Sequence, residues 1–274
     1  MSTEEHRAPL TRLAYQMLGS VAQAEEVVQE ALLRLSRAQE PIAAPRAWLK
    51  TVATRLCLDI LKSAPARREV YVGPWLPEPL VEDEPRVGWE VSVALMLALE
   101  RLSPLERVAF LLHDVFDADF SEVATVLGRS EPACRQLAAR ARRHVQQARP
   151  RFSVSAGDAE RLVSAFRSAA ETGDRQALTD LLSADAVLYS DGGGVRTAAL
   201  RVISSSDHVA RFIAGIVRKG WSMPHTARMA WINGLPGLLF ETPDGTETCA
   251  FDIEGGRITG VFIVRNPDKL HHLR

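Results

Sequence analysis

Cysteine is scarce. The 274 residues hold three, Cys57, Cys134 and Cys249, far apart and each among apolar neighbours. The chain has no CxxC pair and no Cys/His cluster, which argues against a zinc module or a disulfide framework. Buried small hydrophobes in a reducing compartment are expected instead. No apolar run approaches the roughly 18 residues of a membrane span. The opening residues Met1-Ser2-Thr3-Glu4-Glu5-His6-Arg7 lack the basic start and apolar core of a secretory signal, so a cytoplasmic protein with no membrane partner is expected. Net charge is also missing: 33 Lys and Arg stand against 34 Asp and Glu, a formal −1. That balance argues against wholesale polyanion binding and makes any basic cluster a local patch. No internal repeat and no low-complexity segment occurs. With 46% hydrophobic residues, the length suits two or three small folded domains.

Three apolar stripes at helical spacing fill residues 9–63. They are Leu10, Leu13, Ala14, Met17 and Leu18; Val27, Val28, Ala31, Leu32 and Leu35; and Trp48, Leu49, Val52, Ala53, Leu56, Cys57, Ile60 and Leu61. Gly19-Ser20 and residues 39–45 punctuate them. Residues 64–90 change character. Pro74, Pro77, Pro79 and Pro85 interrupt any helix, and Glu78, Glu82, Asp83 and Glu84 make the stretch acidic, so an extended linker is expected. Trp75, Leu76, Leu80 and Trp89 are larger and more apolar than a solvated tether needs, and parts of the linker are expected to dock. Helical spacing returns at 91–102 and 104–114, with Ser103 as cap and Pro104 in the first turn. Beyond Pro150, residues 159–171, 175–182 and 206–217 read as helices. Residues 186–190, 226–232, 237–242, 247–253 and 257–264 read as strands, with turns at Asn233-Gly234, Pro243-Asp244-Gly245 and Glu254-Gly255-Gly256. Helices followed by an antiparallel meander predict an α+β domain.

Residues 120–145 carry the pattern of a helix-turn-helix. Ser121 to Leu127 form one helix, and Gly128 ends it because glycine takes a left-handed backbone at no steric cost. Ser130 can cap the next helix, with Pro132 in its first turn. Along that second helix Ala133, Leu137, Ala141 and Val145 recur at helical spacing and are expected to face the core. Arg135, Gln136, Arg140 and Arg143 lie opposite. Arginine forks suit guanine edges and phosphates, and an amide can pair with adenine, so this face is expected to lie in a major groove. From Arg129 to Arg151 there are seven arginines and one acid, Glu131. The alternative is a solvated basic helix.

The order of parts, with its local sequences, resembles a bacterial RNA polymerase sigma factor of the extracytoplasmic-function type. Leu13-Ala14-Tyr15-Gln16-Met17-Leu18-Gly19-Ser20, followed by Ala24-Glu25-Glu26-Val27-Val28-Gln29-Glu30-Ala31, is similar to the region that docks on the core polymerase clamp. Pro45-Arg46-Ala47-Trp48-Leu49-Lys50-Thr51-Val52-Ala53-Thr54-Arg55-Leu56-Cys57-Leu58-Asp59 is similar to the region that melts and reads the minus-ten element. Leu102-Ser103-Pro104-Leu105-Glu106-Arg107-Val108-Ala109-Phe110 leads into a domain that reads the minus-thirty-five element. Residues 151–274 resemble a SnoaL-like domain, a curved sheet closed by helices into a cone. The subgroup likeness also rests on Gly73-Pro74-Trp75-Leu76-Pro77-Glu78-Pro79, Asp191-Gly192-Gly193-Gly194 and Asn266-Pro267-Asp268-Lys269-Leu270. The resemblance implies a multidomain protein: an all-α sigma domain 2 at 1–66, a proline-rich acidic linker at 67–90, an all-α sigma domain 4 at 91–150, and an α+β SnoaL-like cone at 151–274. Two positions depart from the family pattern. Gln23 stands where an acid is usual, which weakens one polar contact to core. Val195 stands where a lysine usually follows the triple glycine, which puts that lysine's polar contact in doubt.

The resemblance makes core RNA polymerase and promoter DNA the expected partners. Glu25, Glu26, Gln29 and Glu30 form an acidic face expected to meet a basic coiled coil on the polymerase; the alternative is an ordinary solvated face. Arg46, Lys50 and Arg55 are expected at DNA, whereas Trp48 suits a core position as well as a stacked base, and residues 39–45 are the better place for a base pocket. Arg67-Arg68 track phosphates or are simply soluble linker. Arg135 and Gln136 are expected to read bases, and Arg140 and Arg143 to hold phosphates. The linker residues Trp75, Leu76, Pro77 and Glu78, the turn Asp191, Gly192, Gly193 and Gly194, and the segment Asn266, Pro267, Asp268, Lys269 and Leu270 are expected to form a regulatory contact.

Cone domains also host proton-transfer enzymes, and Tyr189, Asp191, His208, His225 and Asp252 are the residues such chemistry could use. No pair among them is marked out. Asp191 in its glycine-rich turn is expected to be exposed, His271 and His272 are terminal, and neither catalysis, a cofactor nor a metal is expected. A small-molecule ligand of the cone stays open. Two rivals remain. One is a stand-alone helix-turn-helix regulator, against which the acidic helix argues. The other is a bifunctional protein whose cone turns over a ligand.

Overall fold

In a computed structural model, residues 4–63, 71–83, 92–146, 155–219 and 227–273 are described. Arg67, Arg68, Trp89 and His225 lie outside them. The chain divides into two compact units, residues 1–70 with 95–149, and residues 71–94 with 150–274.

The first unit is helical. Helices α1 (Glu4–Leu18), α2 (Val21–Ser36) and α3 (Pro45–Ser63) pack through the expected stripes. Leu13, Met17, Val28, Ala31, Leu49 and Ala53 are buried, while Trp48, Val52, Leu35 and Ile60 are half-buried at the edges. Ser20 caps α2 by accepting from the Gln23 backbone N–H. Helix α4 (Val93–Glu100) is short and apolar. Helix α5 (Pro104–Phe110) starts in a reciprocal capping box between Ser103 and Glu106, with Pro104 in the first turn, and runs on into a π-helical turn at Leu111–Val115. Helices α6 (Phe120–Leu127) and α7 (Glu131–Gln146) are the helix-turn-helix. Gly128 sits between them at φ 62°, ψ 40°, the left-handed cap the sequence predicts. Arg107 on α5 is 1% exposed. Its guanidinium donates to the Leu99 carbonyl (3.0 Å) and to the Met17 carbonyl at the end of α1 (2.6 Å), and pairs with Glu100 (2.7 Å).

The second unit is α+β. Its seven-stranded sheet has the order β1-β4-β5-β6-β7-β2-β3. Strands β4 (Arg228–Ile232), β5 (Leu235–Thr242), β6 (Gly245–Glu254) and β7 (Arg257–Val264) form the expected antiparallel meander. Strand β2 (Leu182–Asp191) runs parallel to β7, and β3 (Ile203–Ser204) closes that edge. Helices α8 (Ala156–Thr172), α9 (Arg175–Leu181) and α10 (Ser206–Arg218) share a core with the strands, centred on Val163, Phe166, Leu188, Ile213, Phe251 and Val261. Phe166 and Phe251 meet edge to face at 4.8 Å.

The linker departs from a simple tether. Its described part, residues 71–83, belongs to this second unit, and β1 (Val81–Glu82) adds an edge strand against β4. Leu80 exchanges two hydrogen bonds with Asn233, N–H to the side-chain oxygen (3.1 Å) and carbonyl to the backbone N–H (2.8 Å). The proline-rich composition rules out helix but leaves residues free to pair at a sheet edge.

Candidate functional site

The outer face of α7 is arranged as the sequence predicts. Arg135, Gln136, Arg140 and Arg143 are exposed. The buried stripe is turned slightly from the expected one: Cys134, Ala138, Ala141 and Val145 are inside, with Ala133 and Leu137 only half-buried. Arg135 pairs with Glu131 at 2.8 Å and lies 5.1 Å from the Phe120 ring centroid, a placement that pre-orients its fork. Arg142 is held inward by Asp114 at 2.5 Å.

The α3 cations are placed differently. Arg46 is exposed. Lys50 instead pairs with Glu122 on α6 at 3.0 Å, and Arg55 donates to the Thr125 (3.1 Å) and Val126 (3.4 Å) carbonyls at the C-terminal end of α6. A helix C-terminus carries partial negative charge and unpaired carbonyls, so it attracts a guanidinium. In this arrangement two of the cations expected at DNA are engaged by the first helix of the helix-turn-helix. On α2, Glu25, Glu26 and Gln29 are exposed, and Glu30 is tied to Arg34 at 2.7 Å.

Asp191 overturns the expectation of exposure. It is 0% exposed and forms a hub that joins the three segments expected to meet, at 73–79, 191–194 and 266–270. One carboxylate oxygen accepts from the Tyr71 hydroxyl (2.5 Å) and the Gly193 N–H (3.0 Å). The other accepts from the Leu76 N–H (2.8 Å) and the Lys269 ammonium (2.8 Å). Its backbone carbonyl accepts from the N–H groups of Arg265 (2.8 Å) and Asn266 (3.0 Å). Lys269 also donates to the Leu76 carbonyl (2.5 Å) and sits over the rings of Tyr71 (4.9 Å) and Trp75 (4.5 Å). Asn266 donates to the Tyr71 hydroxyl at 3.1 Å. Burial, and then the neighbouring Asp191, push the Tyr71 phenol well above its ordinary pKa, which keeps it a donor.

The glycines are needed for that closure. At Gly193 (φ 61°) a Cβ would come within 2.3 Å of the Asn266 amide, and at Gly192 within 2.2 Å of the Arg196 carbonyl. Gly194 lies against Val72. Leu76, Pro77 and Glu78 are buried and Trp75 is half-buried; Pro267 and Asp268 are more open than Asn266, Lys269 and Leu270. Val195 is exposed, and Lys269 supplies the cation at Asp191. Sequence reasoning missed Tyr71, Val72, and His272, which reaches the Pro79 carbonyl at 2.9 Å. None of the three stands in a motif that would mark it.

Among the described residues, those considered for proton transfer, Tyr189, Asp191, His208 and Asp252, do not come together as a pair. Asp191 already accepts two hydrogen bonds on each oxygen. His208 is exposed at the start of α10, hydrogen-bonded to Ser204 and Ser205. Tyr189 packs on Phe262 with ring centroids 5.7 Å apart. Asp252 is held above the usual carboxylate pKa, first by burial and then by Glu254. Among the described residues, no group of three His, Cys, Asp or Glu is placed to hold a metal, and no helix is long and apolar enough to cross a membrane.

This combination of an arginine-faced helix-turn-helix, a three-helix bundle and an appended α+β domain defines a transcription initiation factor. The sigma-70 region 2 family matches residues 3–67 and the sigma-70 region 4 family matches residues 92–145. The chain belongs to the extracytoplasmic-function sigma factors of RNA polymerase and carries a fused SnoaL-like C-terminal domain. It is 39% identical to the extracytoplasmic-function sigma factor SigJ of Mycobacterium tuberculosis over 97% of this chain and 91% of the relative. It is 36% identical to the probable sigma factor SigI of the same species over 98% and 93%. The crystal structure of Mycobacterium tuberculosis SigJ superposes with a TM-score of 0.77 at 35% identity, covering 98% of this chain and 96% of that one.

Proposed function

We propose that this sigma factor directs core RNA polymerase to its promoters in the cytoplasm, and that its cone domain, acting without catalysis, regulates it through the linker. Arg135 and Gln136 read bases of the minus-thirty-five element, and Arg140 and Arg143 hold phosphates. Arg46, Lys50 and Arg55 serve the minus-ten element, for which Lys50 and Arg55 must first leave α6. Glu25, Glu26, Gln29 and Glu30 meet the polymerase.

The observation that carries the regulatory reading is the Asp191 hub. A buried carboxylate with four donors holds Tyr71 and Leu76 of the linker to the turn at Gly193 and to Lys269. The chain between the two sigma domains is therefore anchored in the cone's own unit, and its release changes the freedom of those domains. Transcription from a selected promoter library with purified core polymerase tests this. The full chain yields promoter-specific transcripts, and Asp191→Asn changes their rate about fivefold or more, the scale of a typical coupling energy. Equal rates overturn the regulatory reading. Specific DNA binding with no transcript favours the stand-alone regulator.

A further inference from the structure

The first unit holds an apolar cleft whose polar edge shares Arg46 and Lys50 with the proposed minus-ten role, while its apolar floor has no part in these roles. It is open to solvent and has an interior volume of about 90 Å³. Pro9, Leu10 and Leu13 of α1, Leu49 of α3 and Phe116 beyond the π-helical turn form its apolar lining. Phe116 is further held by the Arg12 guanidinium, 5.9 Å from its ring centroid. The polar part of the lining is His6, Arg46 and Lys50, and among the described residues no acid joins them.

Composition selects the ligand. Small-molecule sites pair an apolar wall with a few polar groups that fix orientation, and this open cleft has both. Here every titratable group on the wall is a cation or an imidazole. A cationic ligand meets no counter-charge, a neutral apolar one uses the floor alone, and an apolar body with one anionic group uses both. Lys50 has a second role, since the same ammonium pairs with Glu122 on α6.

We propose that this cleft binds a small amphiphilic anion, an apolar body carrying one carboxylate, whose head group competes with Glu122 for Lys50. Occupancy therefore loosens the tie between α3 and α6 and links a metabolite-sized molecule to the placement of the helix-turn-helix. The inference rests on the geometry of the cleft and not on the promoter reading, so its failure leaves that reading intact.

Sodium octanoate and its uncharged analogue 1-octanol test it on the full chain, with ¹³C-methyl NMR following Leu10, Leu13 and Leu49. Octanoate shifts those methyls and binds about tenfold more tightly than octanol, the worth of one charge-assisted contact. Glu122→Gln frees Lys50 and tightens octanoate about threefold, the scale of a partly exposed ion pair, with octanol unchanged. Phe116→Ala weakens both ligands. Unshifted methyls, equal affinity for the two ligands, or octanoate binding indifferent to Glu122→Gln overturns the proposal.

Discussion

Removing the ammonium of Lys269 probes the hub most directly. In Lys269→Met the apolar stem stays near Trp75 and Tyr71 while the charge goes. The pair is buried, with side-chain exposures of 10% for Lys269 and 0% for Asp191. Summing hydrogen bonds overstates the effect: four to a charged acceptor at about 1.5–3 kcal/mol each would exceed the stability of many domains. Three donors, Tyr71 hydroxyl, Leu76 N–H and Gly193 N–H, remain in the variant, so the carboxylate is not stripped. What is lost is its counter-charge and the donor to the Leu76 carbonyl. Breaking one side of a buried pair costs about 3–5 kcal/mol, and the surviving donors place this case near the lower end, about 3 kcal/mol. That is a factor of more than about 100 in the folding equilibrium of the second unit. Denaturant unfolding followed by tryptophan fluorescence and circular dichroism reads it, each unit being fitted separately because a two-unit chain need not unfold in one step. Asp191→Asn in the Lys269→Met background recovers part of the loss by removing the unpaired charge. A Lys269→Met variant within about 1 kcal/mol of the parent refutes the reasoning, since only a well-solvated pair is worth so little.

Gly193→Ala requires a positive φ and a Cβ inside the Asn266 amide, and lowers the stability of the second unit by about 1–3 kcal/mol in the same unfolding assay. In promoter-binding titrations with the polymerase holoenzyme, Arg135→Ala costs about 1–3 kcal/mol and relaxes base preference at one position. Arg143→Ala weakens all sequences alike and reduces the salt slope by about 1. For Asp252 the folded-state pKa lies above the unfolded value, so the folded state holds its proton longer. Stability is then lost as pH rises from the unfolded pKa through the raised one. Asp252→Asn removes that decline and raises the thermal midpoint at neutral pH; a midpoint unchanged between pH 4 and pH 7 in both proteins counts against the sign.

Local chemistry made much of this protein legible. Gly128 and the Ser103-Pro104 helix start state their conformations through steric freedom and short-range hydrogen bonds, and both appear as written, the structure adding the reciprocal bond from Glu106. The meander followed from alternation and turn residues. The exposure of Arg135, Gln136, Arg140 and Arg143 followed from helical periodicity, although the inward stripe settled on Cys134 and Ala138, smaller side chains than Leu137. The motifs at 73–79, 191–194 and 266–270 were visible as three separate strings. Their meeting at one carboxylate was not, because the partners of Asp191 lie 120, 115 and 78 positions away. A glycine-rich turn reads as exposed when taken alone. Here the missing side chains are what let Asn266 and the linker close over it. Lys50 and Arg55 show the same limit: cationic character is a property of the residue, but the carbonyls and carboxylate that engage them belong to a helix some 70 residues further on. Local conformation and the sidedness of each element therefore came from neighbouring residues, whereas burial, ion pairing and the anchoring of the linker depended on long-range packing.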